Sequence, residues 1–238
     1  MTNELIVLSL TAAGIGVLHT ALGPDHYLPF VLMARSERWS QAKMLWVTLL
    51  CGLGHVLSAV LVGAVGIVLG VGVGRLEKFD SIRGDLAAWG LIAFGLVYCV
   101  WGLRRAHRNR PHTHVHTHCD DTIHTHMHGH QREHIHLHQE QSAARRLTPW
   151  ILFILFVFGP CEPLIPLLMY PAARSSVAGV VVVTAVFSIS TLATMAALVK
   201  LTSVGIRRLP LGQLERYTHA LAGAAICLCG LAIAAFGL

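Results

Sequence analysis

Sixteen of the 238 residues are histidine, and neutral imidazole near pH 7 is the commonest side-chain ligand of transition metals. Two of them, with a carboxylate, close the first apolar run as His19-Thr20-Ala21-Leu22-Gly23-Pro24-Asp25-His26. On an unbroken helix His19 and His26 share a face but stand about 10 Å apart along the axis. Ligand bonds near 2 Å cannot bridge that gap. Gly23-Pro24 changes the geometry, because proline removes a backbone donor and disrupts the preceding turn. A broken helix can fold His19 back toward Asp25 and His26 as a metal or proton site. The competing reading is an interfacial loop whose polar groups meet only headgroups and water.

A second interruption is Gly159-Pro160-Cys161-Glu162-Pro163, followed by Pro166. Three prolines in seven residues oppose a regular helix, and irregular backbone at membrane depth is tolerated only against protein or a wet cavity. Glu162 in an apolar run asks for a partner, and Cys161 adds a softer ligand. The alternative is a kinked helix whose Glu162 is protonated or caps freed amides. His55 lies in the middle of another apolar run, as a helix-to-helix hydrogen bonder or a ligand. Ser188, Ser190, Thr191 and Thr194 form a hydroxyl-rich stretch that fits helix back-bonding better than chemistry. His219 reads as an interface residue.

Twelve histidines fall between His107 and His138. Many alternate: His112, His114, His116 and His118, then His124, His126, His128 and His130, then His134, His136 and His138. Cys119, Asp120 and Asp121 separate the first two runs. Such a segment has too little apolar content for a core and is expected to be mostly disordered. It reads as a metal-collecting or metal-sensing loop in which single histidines are interchangeable, the alternative being a pH-sensitive linker.

The elements that must carry these groups are membrane helices. The chain is 54% hydrophobic and 13% charged, against roughly a quarter charged in soluble domains. No charge occurs between Met44 and Gly74 or between Leu86 and Leu103, and apolar runs of that length are transmembrane candidates. Six spans are expected, at about 5–22, 44–72, 86–104, 149–170, 177–201 and 217–237. They divide the chain into a transmembrane repeat over 1–104, a His-rich loop over 105–147 and a second repeat over 148–238.

Fourteen Lys and Arg follow spans one, three and five, and four lie on the other side. This places the His-rich loop in the cytoplasm and both termini outside, in a plasma (inner) membrane. The first segment lacks the basic region of a signal peptide and reads as a retained span. Leu86-Ala87, Gly95-Leu96 and Gly102-Leu103 recur as Leu221-Ala222, Gly230-Leu231 and Gly237-Leu238 at an offset of 135. Gly23-Pro24 recurs as Gly159-Pro160 at 136. The fold expected is therefore an all-α integral membrane protein, two inverted three-helix repeats with helices 1 and 4 broken.

The net charge of +6 is distributed as orienting charge between spans and does not imply nucleic acid. There is no phosphate-binding loop and no His-Glu-x-x-His motif, so no ATPase and no enzyme is expected. The cysteines are mostly inside apolar segments, unlike a secreted disulfide framework.

These features resemble the nickel/cobalt transporter superfamily, in its six-span branch of NicO-type efflux systems and UreH-like membrane proteins. The founding permeases carry His-x-x-x-x-Asp-His in a membrane helix, where this chain has five residues between His19 and Asp25-His26. The wider clan holds thiol-electron carriers like the cytochrome c biogenesis membrane protein, and sulfite or amino-acid exporters. Gly159-Pro160-Cys161 looks like half of the carriers' cysteine pair, but the first span has no cysteine.

The function expected is secondary transport of a divalent ion, Ni²⁺ or Co²⁺ with Zn²⁺ also accommodated, export being slightly favoured. His19, Asp25, His26, His55, Cys161 and Glu162 would be its ligands, with proton coupling through the carboxylates. No permanently bound cofactor is expected. The partners are the lipid bilayer and the metal ion, and a homo-oligomer is compatible with the pattern. The alternatives are a metal-binding accessory or sensor protein, a thiol-electron carrier, or an anion exporter.

Overall fold

The computed structural model describes residues 3–108, 112–117, 123–128, 143–159, 161, 163–174, 176–208 and 212–236. Among the described residues five helices are long and apolar enough to cross a bilayer, which makes the chain an integral membrane protein. They begin with α1 (Asn3–Leu22), α3 (Gln41–Val68) and α4 (Val73–Arg108). The others are α7 (Val177–Arg208) and α8 (Thr218–Phe236), the last preceded by a two-turn 3₁₀ segment (Gly212–Tyr217). Lipid-type solvation is visible in the sidedness: Leu10, Trp46, Val68 and Val177 are exposed, while α1 turns Ala12, Gly16 and Thr20 inward. That i, i+4, i+8 stripe is one helix face. It lets α1 approach α7, where Gly16 meets the Phe187 carbonyl and Thr191.

Two further stretches are interrupted. Gly23 ends α1, a 3₁₀ turn runs Pro24–His26, and α2 (Leu28–Ser36) continues from it. In the second half α5 (Ala143–Phe158) and α6 (Leu164–Ala173) flank the other break. The fourth expected span is thus two short helices, Thr148–Phe158 being the apolar part of the first.

The expected boundary of the third span is corrected. Helix α4 begins at Val73 rather than near 86 and carries Asp80 and Arg83, both buried, inside it. The two are one helical turn apart and joined at 2.6 Å, so a stretch that is polar in composition stays helical. At the turn before it, Gly70 has φ +63°, a conformation open to glycine at little cost.

Helices α4 and α8 run antiparallel along a seam of small residues. A Cβ on Gly95 would strike the Cys227 amide and the Gly223 carbonyl, and one on Gly102 the Ala220 backbone. Small residues allow this close approach, which stabilises helix pairs in lipid by van der Waals packing.

In the His-rich insertion, β1 (His112–Thr117) pairs antiparallel with β2 (Ile123–His128), with His112 opposite His128, His114 opposite His126 and His116 opposite His124. His118, His130, His134, His136 and His138 lie outside the described residues.

Candidate metal centre

The break after α1 sets two imidazoles against each other. The Gly23 amide still donates to the His19 carbonyl, closing α1, and the His26 amide donates back to the Gly23 carbonyl. Across this turn the His19 and His26 rings come to 4.8 Å between centroids. His55, midway along α3, brings its ring to 5.4 Å from His26 and 6.4 Å from His19. One ligand nitrogen from each of the three lies within 4.8 Å of the others.

The other ring nitrogens of His26 and His55 are engaged. His26 Nδ1 sits 3.2 Å from both Asp25 Oδ1 and the Gly23 carbonyl, and His55 Nδ1 3.2 Å from the Phe156 carbonyl. With Nδ1–H donating to these acceptors, the Nε2 lone pairs are left for something else. The Nε2 atoms of His19, His26 and His55 are all buried without a hydrogen-bond partner. One orphaned buried nitrogen is costly; three of them on rings whose ligand nitrogens group within 4.8 Å match the requirement of a metal ion. Bound imidazoles in a tetrahedral site stand about 3.3 Å apart, nitrogen to nitrogen, so modest side-chain rotation closes the set. A carboxylate or carbonyl on the distal ring nitrogen is the usual device that fixes the orientation of a metal-ligating histidine. Asp25 occupies that place beside His26.

The second break reaches the same centre. Gly159 lies against His55, where an added Cβ would be 3.2 Å from Nδ1, and Phe156 supplies both the accepting carbonyl and a ring 6.3 Å from His26. A cavity of about 20 Å³ beside the triad is lined by Asp25, His55, Phe156 and Gly159, with Leu91 and Ile233. That suffices for about one water-sized guest.

Cys161 is fully buried among Ala12, Val56, Leu164 and Phe187, with its amide 3.2 Å from Asp80 Oδ2. Glu162 lies outside the described residues. The described cysteines, Cys51, Cys99, Cys161, Cys227 and Cys229, are all free thiols.

Two polar clusters were not foreseen from the sequence. Asp80 accepts from the Cys161 amide while Arg83 donates to the Val157 carbonyl at 2.9 Å and to Ser58 Oγ at 2.8 Å. Together they satisfy backbone groups that the α5–α6 break frees in a place without water. The i, i+3 spacing of Asp80 and Arg83 was the available signal. The second cluster joins Glu37, Tyr98 and His219: the Tyr98 hydroxyl donates to Glu37 Oε1 at 2.8 Å and lies 2.7 Å from His219 Nδ1. His219 therefore belongs to an internal network between α2, α4 and α8, where the sequence suggested an interface residue.

Comparison with known proteins corrects the expected kinship. The family model that matches is the cytochrome c biogenesis protein transmembrane region, over residues 28–236. This match overturns both the resemblance to nickel/cobalt transporters and the nickel/cobalt transport function drawn from it; of the readings considered, the thiol-electron carrier is the one it favours. No curated protein and no solved structure matches the chain. The match begins just after His26, so two of the three converging histidines come from a segment it does not include. The chain belongs to the cytochrome c biogenesis transmembrane-region family.

Proposed function

We propose that this chain is a metal-binding accessory protein of the membrane, built on the cytochrome c biogenesis scaffold, with a transition-metal ion held by His19, His26 and His55. The observation that carries this reading is the convergence of three buried, unpartnered Nε2 atoms. Three imidazoles with one position left open suit Zn²⁺, Cu²⁺ and neighbouring ions. Asp25 and the Phe156 carbonyl orient the ligands rather than complete the set. The site lies between two broken stretches, α1–α2 and α5–α6, the arrangement that places polar groups and freed backbone at membrane depth around a guest.

The architecture that supports this site is an inverted repeat of six membrane-crossing stretches. Its support is the α4–α8 seam. Gly95 faces Gly223 and Cys227, and Gly230 faces Ala88 and Ile92 at 2.8 and 2.9 Å from its would-be Cβ. Adding 135 to Ala88, Ile92 and Gly95 gives Gly223, Cys227 and Gly230, so the two sets of contacts are related by a two-fold axis. The pairing of α1 with α7 and of α3 with α5 obeys the same exchange of halves. The fourteen-to-four charge asymmetry supports a cytoplasmic His-rich insertion in a plasma membrane.

The test is metal content by mass spectrometry on purified chains that lack residues 112–138, so that loop histidines do not contribute. After dialysis against Zn²⁺, one equivalent per chain is expected, falling below 0.1 equivalent in His26→Ala and in His55→Ala. Equal content in all three would remove the site.

Family membership favours a second reading, thiol–disulfide relay, with Cys161 in the α5–α6 break as one partner. Helix α1 carries no cysteine, so a second thiol must come from elsewhere. Mass-shift labelling of Cys161 under oxidising and reducing conditions decides it: a disulfide in the oxidised chain supports the relay, and a constantly free thiol excludes it.

A further inference from the structure

Besides the three imidazole nitrogens, one buried side-chain atom among the described residues lacks a hydrogen-bond partner: the hydroxyl oxygen of Thr191 on α7. The residue is fully buried. Its own helix offers a remedy, because a threonine or serine hydroxyl can donate to the carbonyl four residues back. Thr184, Ser188 and Thr194 do so, to Val180, Thr184 and Ser190. Thr191 does not. A buried hydroxyl left in that state is costly unless a guest completes it.

Packing places this hydroxyl at the depth of the histidines. A Cβ on Gly16 would lie 3.2 Å from the Thr191 oxygen, and His19 follows Gly16 by three residues, on the same face of α1. From α3, a Cβ on Gly52 would lie 2.8 Å from the side chain of Leu192, the next residue of α7. His55 in turn follows Gly52 by three residues. Cys51 and Met195 belong to one buried apolar cluster, and Val56, Ala59 and Phe187 to the other. His55 lies between the two clusters on α3, and Thr191 lies between them on α7. The offset of 136 that carries Gly23-Pro24 onto Gly159-Pro160 also carries His55 onto Thr191. One half of the chain has an imidazole at this place and the other a hydroxyl.

Three imidazoles leave a tetrahedral ion one position for an oxygen ligand such as water. Buried among apolar helices, that ligand needs a further polar partner. The three Nε2 atoms are spent on the ion, whereas a hydroxyl can both donate and accept. We propose that Thr191 closes the open side of the centre, its hydroxyl hydrogen-bonded to the oxygen ligand in the fourth position. This inference rests on the three-histidine reading and adds to it a positioning residue from α7.

The experiment is a Co²⁺ titration of the full chain in detergent, kept anaerobic and reduced, and read by absorption. The visible bands that His55→Ala removes report the centre separately from the histidines of the insertion. Thr191→Cys exchanges the oxygen for a sulfur at nearly the same place, and a thiolate on Co²⁺ adds a charge-transfer band in the near ultraviolet. The difference spectrum of Thr191→Cys against wild type is expected to show that band, and to lose it when His55→Ala is added. Thr191→Val, of the same shape, should weaken His55-dependent Co²⁺ binding about 10-fold, as loss of an outer partner does. Thr191→Ser should restore it. Ser188→Ala, which removes a hydroxyl already satisfied within α7, should bind as wild type does. No new band in Thr191→Cys, or undiminished binding in Thr191→Val, overturns the proposal while the three-histidine site stands. If His55→Ala removes no Co²⁺ absorption from the wild type, the three-histidine reading falls and this inference falls with it.

Discussion

At the scale of single residues the account turns on which ring nitrogen does what. His26 and His55 each spend Nδ1 on an acceptor, which leaves Nε2 to bind. Asp25→Asn keeps the shape beside His26 but removes the negative charge, and loss of such an orienting partner typically lowers metal affinity about 10- to 100-fold. Competition with a chromophoric chelator should therefore show weaker Zn²⁺ binding in Asp25→Asn with the stoichiometry unchanged; an unaltered affinity would assign Asp25 no part in the site. Residue types were legible in the sequence here, because Gly23-Pro24 between two histidines announces a broken helix. The proposed ligand role of His55 was not, since a lone intramembrane histidine has the same pattern whether it binds an ion or a neighbouring helix. Only its distance to His19 and His26 separates the two.

Secondary-structure elements hold those residues through their interruptions. Gly23 is needed for close approach: an added Cβ would lie 2.5 Å from His26 Nδ1 and 2.8 Å from Asp25 Oδ1. Gly23→Ala should push His26 from its seat and reduce Zn²⁺ binding by at least tenfold while the helical circular dichroism stays that of the wild type. The second break depends on Asp80 and Arg83. Arg83→Gln leaves a carboxylate buried beside the Cys161 amide and frees the Val157 carbonyl, and breaking one side of a buried pair costs about 3–5 kcal/mol. The expected outcome is a large fall in thermal stability, partly recovered in Asp80→Asn, Arg83→Gln. Equal stability of the single variant and the wild type would show that the pair does not support the break. The proline-rich sequence of this break was visible from the start. The ion pair that stabilises it was hidden in a charged stretch whose composition suggests a loop, although its i, i+3 spacing belongs to a helix.

For the whole molecule, hydropathy alone established a membrane protein, because a run without charge as long as Met44–Gly74 has no other economical solvent. It did not separate family from family. Histidines beside a Gly-Pro break suggested nickel/cobalt transporters, yet the chain belongs to the cytochrome c biogenesis transmembrane-region family over residues 28–236. The local motif misled because it lies at residues 19–26, outside the matched region, while the α2–α8 framework carries the kinship. Scaffold and site are thus separable, and a fold can host a centre its relatives need not share. The measurement that addresses this most directly is X-ray absorption at the zinc edge on the purified chain lacking residues 112–138. The account predicts one Zn²⁺ with three imidazole nitrogens in its first shell at about 2.0 Å, and loss of that spectrum in His55→Ala. A shell dominated by sulfur, or zinc bound equally well in His55→Ala, would contradict it.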